Sequence, residues 1–451
     1  MRLTLIHPCI GRKRGQPYIR TWQMEPLPPA MIAGLTPSDV EITFYDDRLE
    51  SIPFDEPTDL VAISVETYTA RRAYQIASEY RRRGVPVVMG GFHATLCSDE
   101  VARYAEAVVI GEAEGLWPQV IDDARHGTLQ RFYRQPARPS LRGARPDRRI
   151  FHGKRYLPIA LVEAGRGCHF KCDFCVIQAY FKSTQTRRPV DEVIEELRQL
   201  RQRTRLFFFV DDNITSNMEQ AKELYRALIP LKIRWVSQAS INAAHDEEFL
   251  ELLVRSGCQG VLIGFESLNP DNLRSMNKSF NTMRGGFEQA LGNLRRHRIP
   301  LYVTFIFGYD SDTRASFRQT VDFAKRQAFY IVAFNHLTPF PGTPLYDRLR
   351  TEGRLLFERW WLDDQYRYNM IPFRPMRMAP EELQQGCVQA RREFYSWRSI
   401  ARRSVDRVNR AHPFMFRQFF LINAMIRTEI EQRDGYPLGD EAWDGELLPS
   451  G

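Results

Sequence analysis

No run of these 451 residues is both long and apolar enough to span a bilayer. The most apolar late stretch, 414–426, is broken by Arg417, Gln418 and Asn423. At the start, Leu3–His7 reads as a short strand and falls short of a signal-peptide core. Cysteine is scarce. Of seven, Cys9, Cys97, Cys258 and Cys387 are scattered, as small core residues are, and form no disulfide pattern. A reducing, cytoplasmic setting is expected. Charge of one sign is only mildly in excess, with 63 Lys and Arg against 55 Asp and Glu for a formal charge of +8. That is modest for this length. With no recognisable RNA-binding module, it points away from nucleic acid. What remains is an ordinary globular composition, 43% hydrophobic and 26% charged, with room for two or three domains.

The other three cysteines stand together. Cys168, Cys172 and Cys175 are spaced C-x3-C-x2-C, and no fourth cysteine follows nearby. Structural zinc takes four protein ligands, so three thiolates on one loop suit an iron–sulfur cluster better, with one iron left open to a small molecule. A partial zinc site completed by His169, or a chance group of reduced thiols, is the plainer alternative.

Around this loop the chain divides into three regions. Up to about residue 136, short apolar strands (Leu3–His7, Val40–Tyr45, Leu60–Val65, Pro86–Met89 and Ala107–Ile110) alternate with helices such as Ala70–Arg83. This pattern predicts a parallel, doubly wound sheet. Ligands on such sheets sit at the carboxyl ends of the strands, which selects the loops Ser64–Thr67, Gly90–His93 and Gly111–Glu114. Residues 138–149, rich in Pro, Arg and Gly, read as a linker. From about 155 to 370 a second strand–helix series follows, with strands at Leu157–Glu163, Leu206–Val210, Ile233–Gln238, Gly260–Phe265, Leu301–Phe307 and Ile331–Leu337. Six such units predict an open, partial parallel barrel, again with its chemistry at the carboxyl ends. The cysteine loop directly follows the first of these strands. Beyond 375 the chain reads as helical, basic and aromatic, with Arg391, Arg392, Arg398, Arg402, Arg403, Arg407 and Arg410 ahead of Phe416, Phe419 and Phe420. Those helices are expected to cap the barrel, with peripheral membrane contact as the alternative. Residues 440–451 read as a ragged tail.

The cysteine loop resembles that of the radical S-adenosylmethionine (SAM) superfamily. The loops of the first region, with Leu27–Ala30, Tyr45–Asp47 and the run Thr338–Pro344, resemble the subclass that carries an N-terminal cobalamin (B12)-binding domain, which includes anaerobic cyclases and P-methylases. The resemblance implies an α/β chain: a Rossmann-like, doubly wound domain of cobalamin-binding type over 1–136, a linker over 137–154, a partial (β/α)6 radical SAM barrel over 155–372 and a helical extension over 373–451. It further implies a [4Fe–4S] cluster on Cys168, Cys172 and Cys175, which reductively cleaves SAM to a 5′-deoxyadenosyl radical with an electron from a flavodoxin- or ferredoxin-type donor. Phe174 matches the aromatic position beside the adenine. Asp211 and Asp212 suit the methionine ammonium, with a helix-capping role as the alternative for one of them. Ser237 and Gln238 fall where ribose or carboxylate is bound, and Glu266, in the family's Gly-x-Glu-Ser-Leu pattern, matches a SAM contact. Ser64, Thr67, Gly90, Gly91, His93, Gly111 and Glu112 would line the corrin. The D-x-H-x-x-G motif is absent, so no cobalt ligand is named. The leading expectation is a cobalamin-dependent methyltransferase acting on an unactivated carbon of a small hydrophobic or natural-product substrate. The alternatives are a radical cyclase or rearrangement enzyme without methyl transfer and a cluster-bearing binding or redox-sensing protein.

Overall fold

The computed structural model describes residues 1–16, 18, 19, 23–282 and 285–449. Six strands form the first sheet: β1 (Arg2–His7), β2 (Glu41–Asp46), β3 (Leu60–Ser64), β4 (Val87–Gly90), β5 (Ala107–Ile110) and β6 (Phe132–Arg134). All pairings are parallel, in the spatial order β2-β1-β3-β4-β5-β6. The order reverses between β1 and β3, so a crevice opens at the carboxyl ends there. Both faces are covered, and the side chains divide between them with period two. Val61 and Ile63 enter one core with Ala73, Ile76 and Tyr80 of the helix Ala70–Arg82, whereas Leu60 and Ala62 enter the other with Ala30, Trp117 and Ile121. Strand β6 was not foreseen. It is three residues long and buries only Tyr133, too short for a periodic signal.

The second sheet is also all parallel. Its strands are β7 (Ala160–Val162), β8 (Leu206–Phe209), β9 (Arg234–Ala239), β10 (Cys258–Glu266), β11 (Leu301–Phe307) and β12 (Ile331–His336). They stand side by side in sequence order, an open partial barrel whose edges are β7 and β12. Pro189 caps the helix Val190–Leu200, which buries Val193, Ile194 and Leu197 as its stripe predicts. The free edge of β12 is covered by the helix Pro380–Phe394. Tyr395 Oη donates to the Val332 carbonyl (2.9 Å) and accepts from the Val332 amide (3.0 Å), while Arg391 Nε donates to the Phe334 carbonyl (3.0 Å). An unpaired strand edge is thereby satisfied by side chains.

Two further helices follow, Trp397–Ser404 and Pro413–Gln432, and the basic region is indeed largely helical. Its charges are partly structural. Arg403 is buried and donates to the carbonyls of Phe329, Tyr330 and Phe394 and to Asn423 Oδ1. Of the tail expected to be ragged, residues 440–448 are instead docked beside the first sheet's helix, and 450–451 lie outside the described residues. Gly439–Asp440 pairs parallel with Gly11–Arg12, Trp443 Nε1 donates to Glu79 (2.9 Å), and the Leu448 amide donates to Ser78 Oγ (2.9 Å). Trp360, Trp361 and Tyr366 likewise pack into the first sheet's core. Residues 138–149 are tied down too. Leu141 is buried, Arg138 pairs with Glu112 (2.6 Å), and Arg148 bridges Glu25 (3.1 Å) and Glu196 (2.8 Å). Among the described residues, no helix is long and apolar enough to cross a membrane.

Candidate active site

Strand β7 runs into Glu163, and the chain then makes a short antiparallel ribbon, Gly165–Gly167 against Gln185–Arg187. Gly167 has φ +91°, and a Cβ there would sit 2.1 Å from the Thr184 carbonyl oxygen, so only glycine lets the ribbon close. The cysteine loop hangs between these strands. Cys172 is buried, Cys168 and Cys175 are half-buried, and all three are free thiols. Among the described residues no three His, Cys, Asp or Glu side chains are near enough to hold one metal ion. In a [4Fe–4S] cluster each thiolate takes its own iron, so wider spacing is what that group requires. His169 Nδ1 lies 2.8 Å from Ser216 Oγ.

Opposite the loop stands Glu266, at the end of β10. Its φ of +61° is uncommon for a side-chain-bearing residue, and the register with β11 breaks between Gly264 and Glu266. The turned carboxylate meets Lys278 Nζ through Oε1 (2.6 Å) and Thr304 Oγ1 through Oε2 (3.1 Å). A Cβ on Gly264 would fall 2.1 Å from Glu266 Oε1 and 2.8 Å from Lys278 Nζ, which explains the glycine in this pattern. Burial pushes the Cys172 thiol up to about 12, and the nearby Lys278 ammonium opposes that shift. Lys278 escaped the sequence reading because it follows a short helix with no periodic or spacing signal.

The remaining SAM-facing candidates separate. Phe174 is half-buried and meets Tyr309 edge-on, with ring centroids 6.4 Å apart. Asp212 Oδ2 accepts from the Gly167 amide (2.7 Å) and thus fixes the cysteine loop, and Gln238 donates to the Asp212 carbonyl. Asp211 and Ser237 are not in an open wall. Asp211 is 1% exposed and accepts from the Ala164 amide (2.9 Å), and Ser237, equally buried, donates to the Phe209 carbonyl (2.9 Å). Burial raises Asp211 to about 7 and Asp212 to about 6. Neither caps the next helical turn, since that role falls to Asn213.

Two cavities adjoin the cysteine segment. One, of about 310 Å³, lies at the carboxyl edge of the first sheet. Ser64, Gly90, Gly91, Gly111 and Glu112 line it, and so do Asp212 and Arg166 from the barrel side and Tyr180 and Phe181 just after Cys175. Gly91 has φ +101° and a Cβ there would come within 2.9 Å of the Val65 carbonyl oxygen, while Gly111, at φ +87°, faces open space. Arg166 links the two halves, reaching Glu114 (2.6 Å) and Glu163 (2.7 Å). Thr67 and His93 are not among the lining residues. His93 is fully buried, with Nδ1 3.3 Å from Thr67 Oγ1 and Nε2 3.2 Å from Glu100, so both belong to a packed network behind the loop. No histidine lines this cavity among the described residues.

The second cavity, of about 500 Å³, is walled by β11, β12 and the C-terminal helices and reaches Phe174 and Cys175. Its surface is mainly aromatic and aliphatic: Tyr68, Tyr302, Ile306, Ile331, Tyr368 and Ile426.

The sequence profile of the radical SAM superfamily matches residues 162–324, and that of a domain of unknown function matches 343–424. The bacteriochlorophyllide d C-12(1)-methyltransferase of Chlorobaculum tepidum is 33% identical over 389 residues, 84% of each chain. The C-8(2)-methyltransferase of the same organism is 28% identical over 395 residues, covering 83% of this chain and 86% of the relative. Among solved structures, a radical S-adenosylmethionine methyltransferase from Kitasatospora setae with cobalamin and a [4Fe–4S] cluster bound superposes with a TM-score of 0.62, covering 96% of this chain and 99% of that one at 17% identity. From its cysteine loop through both sheets, this chain is an enzyme that belongs to the radical SAM superfamily, in the group that contains the bacteriochlorophyllide methyltransferases.

Proposed function

We propose that the protein is a cobalamin-dependent radical SAM C-methyltransferase whose substrate is a large, flat, apolar ring system, of the tetrapyrrole kind named for its relatives. The observation that carries this reading is the pair of cavities meeting at one cysteine segment, one at the switch edge of a doubly wound sheet and one inside an open barrel. Cys168, Cys172 and Cys175 would hold the cluster. SAM would lie between that cluster, Phe174 and Glu266, and the corrin would rest on Ser64, Gly90, Gly91, Gly111 and Glu112. Together these groups supply a carbon radical and a methyl group, while the chain orients them and excludes water. Glu266, held by Lys278 and Thr304, presents a fixed carboxylate, which suits hydroxyl or ammonium donors. Arg166 ties the corrin side to the cluster side, so the two groups keep one geometry. The helix Pro380–Phe394 closes the barrel's open edge against water.

The test is anaerobic reconstitution with cobalamin, reductant, methyl-labelled SAM and bacteriochlorophyllide d. Methyl transfer requires both 5′-deoxyadenosine and S-adenosylhomocysteine, with label in the product. Deoxyadenosine alone, with an unmethylated but altered substrate, would replace this reading by cyclisation or rearrangement. A reduced flavodoxin or ferredoxin should substitute for the chemical reductant. Peripheral contact with an anionic bilayer is also proposed. Trp397 (58% exposed), Phe420 (46%) and Leu421 (57%) stand on the outer side of the C-terminal helices with exposed Arg398, Arg402 and Arg417. Salt-sensitive sedimentation with anionic vesicles would support it, and no binding at low salt would leave these helices as a cap.

A further inference from the structure

The barrel cavity contains a charge that the protein leaves unanswered. Three charged residues of the C-terminal region line it: Arg391, Glu429 and Arg433. Arg433 meets Glu429 at 3.1 Å, so that pair is internally balanced. Arg391 forms no ion pair among the described residues, and its one hydrogen bond uses Nε, donated to the Phe334 carbonyl (3.0 Å). The terminal nitrogens of its guanidinium thus have no protein acceptor, yet the residue is half-buried in the cavity wall. Arg403, on the next helix, shows the contrast, since its buried guanidinium is saturated by carbonyls and Asn423. Around Arg391 the wall is aromatic, with Tyr68, Tyr302 and Tyr395 all within its electrostatic reach. A half-buried guanidinium with free donors in an apolar wall is a ready seat for an anion, and a carboxylate matches its fork.

We propose that Arg391 is the anchor for a carboxylate on the substrate, so that the barrel cavity selects a flat, apolar ring system bearing an acidic side chain. This rests on the reading of that cavity as the substrate chamber, and it adds a handle that fixes which edge of the ring faces Cys175. Esters or amides of the same ring system would lack the anchor and bind weakly.

The probes are 1-pyrenebutyrate and its alcohol counterpart 1-pyrenebutanol, titrated by fluorescence into the reconstituted, SAM-loaded holoenzyme. The acid should bind at least about tenfold more tightly than the alcohol, as expected of a charge-assisted contact. Arg391→Gln should reduce that preference to about twofold or less, and Arg391→Lys should restore most of it, with each variant's melting temperature checking the fold. Equal affinity for acid and alcohol, no saturable binding of either, or an acid preference that survives in Arg391→Gln would each overturn the proposal. An acid preference lost in Arg391→Gln would sustain the anchor even if methyl transfer were never observed, so this result and the methyltransferase reading fail separately.

Discussion

The two cavities lie against the same cysteine segment but treat charge differently. At the edge of the first sheet four acidic wall residues have cationic partners: Glu112 with Arg138, Glu114 and Glu163 with Arg166, Glu196 with Arg148 and Arg188, while Asp212 is answered by the Gly167 amide. Most of the charge in such a wall is paired before anything binds. Its distinctive feature is space, supplied by Gly90, Gly91 and Gly111 at strand ends where backbone approaches closely or turns left-handed. The barrel cavity is unfinished by comparison. Its wall holds the uncompensated Arg391 and the half-buried thiol of Cys175. A balanced wall suits a large neutral-amide ligand that stays, whereas an unbalanced one suits charged molecules that come and go.

The comparison is broken most completely at the cysteines. Cys172→Ala should abolish cluster absorbance and deoxyadenosine formation together, while corrin retention through gel filtration persists. Next come paired glycine substitutions. Gly264→Ala forces a methyl group to 2.1 Å from Glu266 Oε1 and should lower SAM cleavage about a hundredfold with corrin binding intact. Gly91→Ala, strained by φ +101° and by the Val65 carbonyl, should weaken corrin retention about tenfold with cleavage preserved. If both variants lose both properties equally, the two cavities are not independent seats. Lys278→Met leaves the Glu266 carboxylate buried without its cation, and urea unfolding should show a loss of about 3 kcal/mol.

The smallest effect is one of pH. Burial holds Asp211 at about 7, above the ordinary carboxyl value of 3.8, so the folded protein keeps a proton that the unfolded chain releases. Its contribution is fully present below about pH 4 and is lost as pH rises through about 7. Asp211→Asn keeps an acceptor for the Ala164 amide and removes that titration. In SAM-free protein, its melting temperature relative to wild type should therefore rise by a few degrees between pH 5 and pH 8. A difference that stays flat with pH would mean the carboxyl is ionised throughout.

Much of this architecture is legible from local pattern. Apolar strands alternating with amphipathic helices located eleven of the twelve strands in the two six-stranded sheets, because buried parallel strands are continuous hydrophobic runs. The glycines at strand ends marked the first cavity for the same reason, that backbone must turn there. Side-chain direction was not legible. Thr67 and His93 lie on loops that border the first cavity but turn into a packed network with Glu100, and Asp211 and Ser237 turn into the wall behind Asp212 and Gln238. Adjacent positions on a strand or loop point to opposite sides, so a run of polar residues identifies the rim without saying which of them faces the ligand.

By itself, then, the sequence determined the two parallel sheets, their order along the chain, and the loop of three cysteines, since these depend on periodicity and spacing within short segments. Only the tertiary structure decided that Lys278 answers Glu266, that Arg166 ties the first sheet's loops to the barrel, that residues 439–448 dock beside the first sheet, and that Arg391 is left without a counter-charge. Those facts depend on which distant side chains share a desolvated volume, where a charge must find a partner or await one, and no local pattern encodes that.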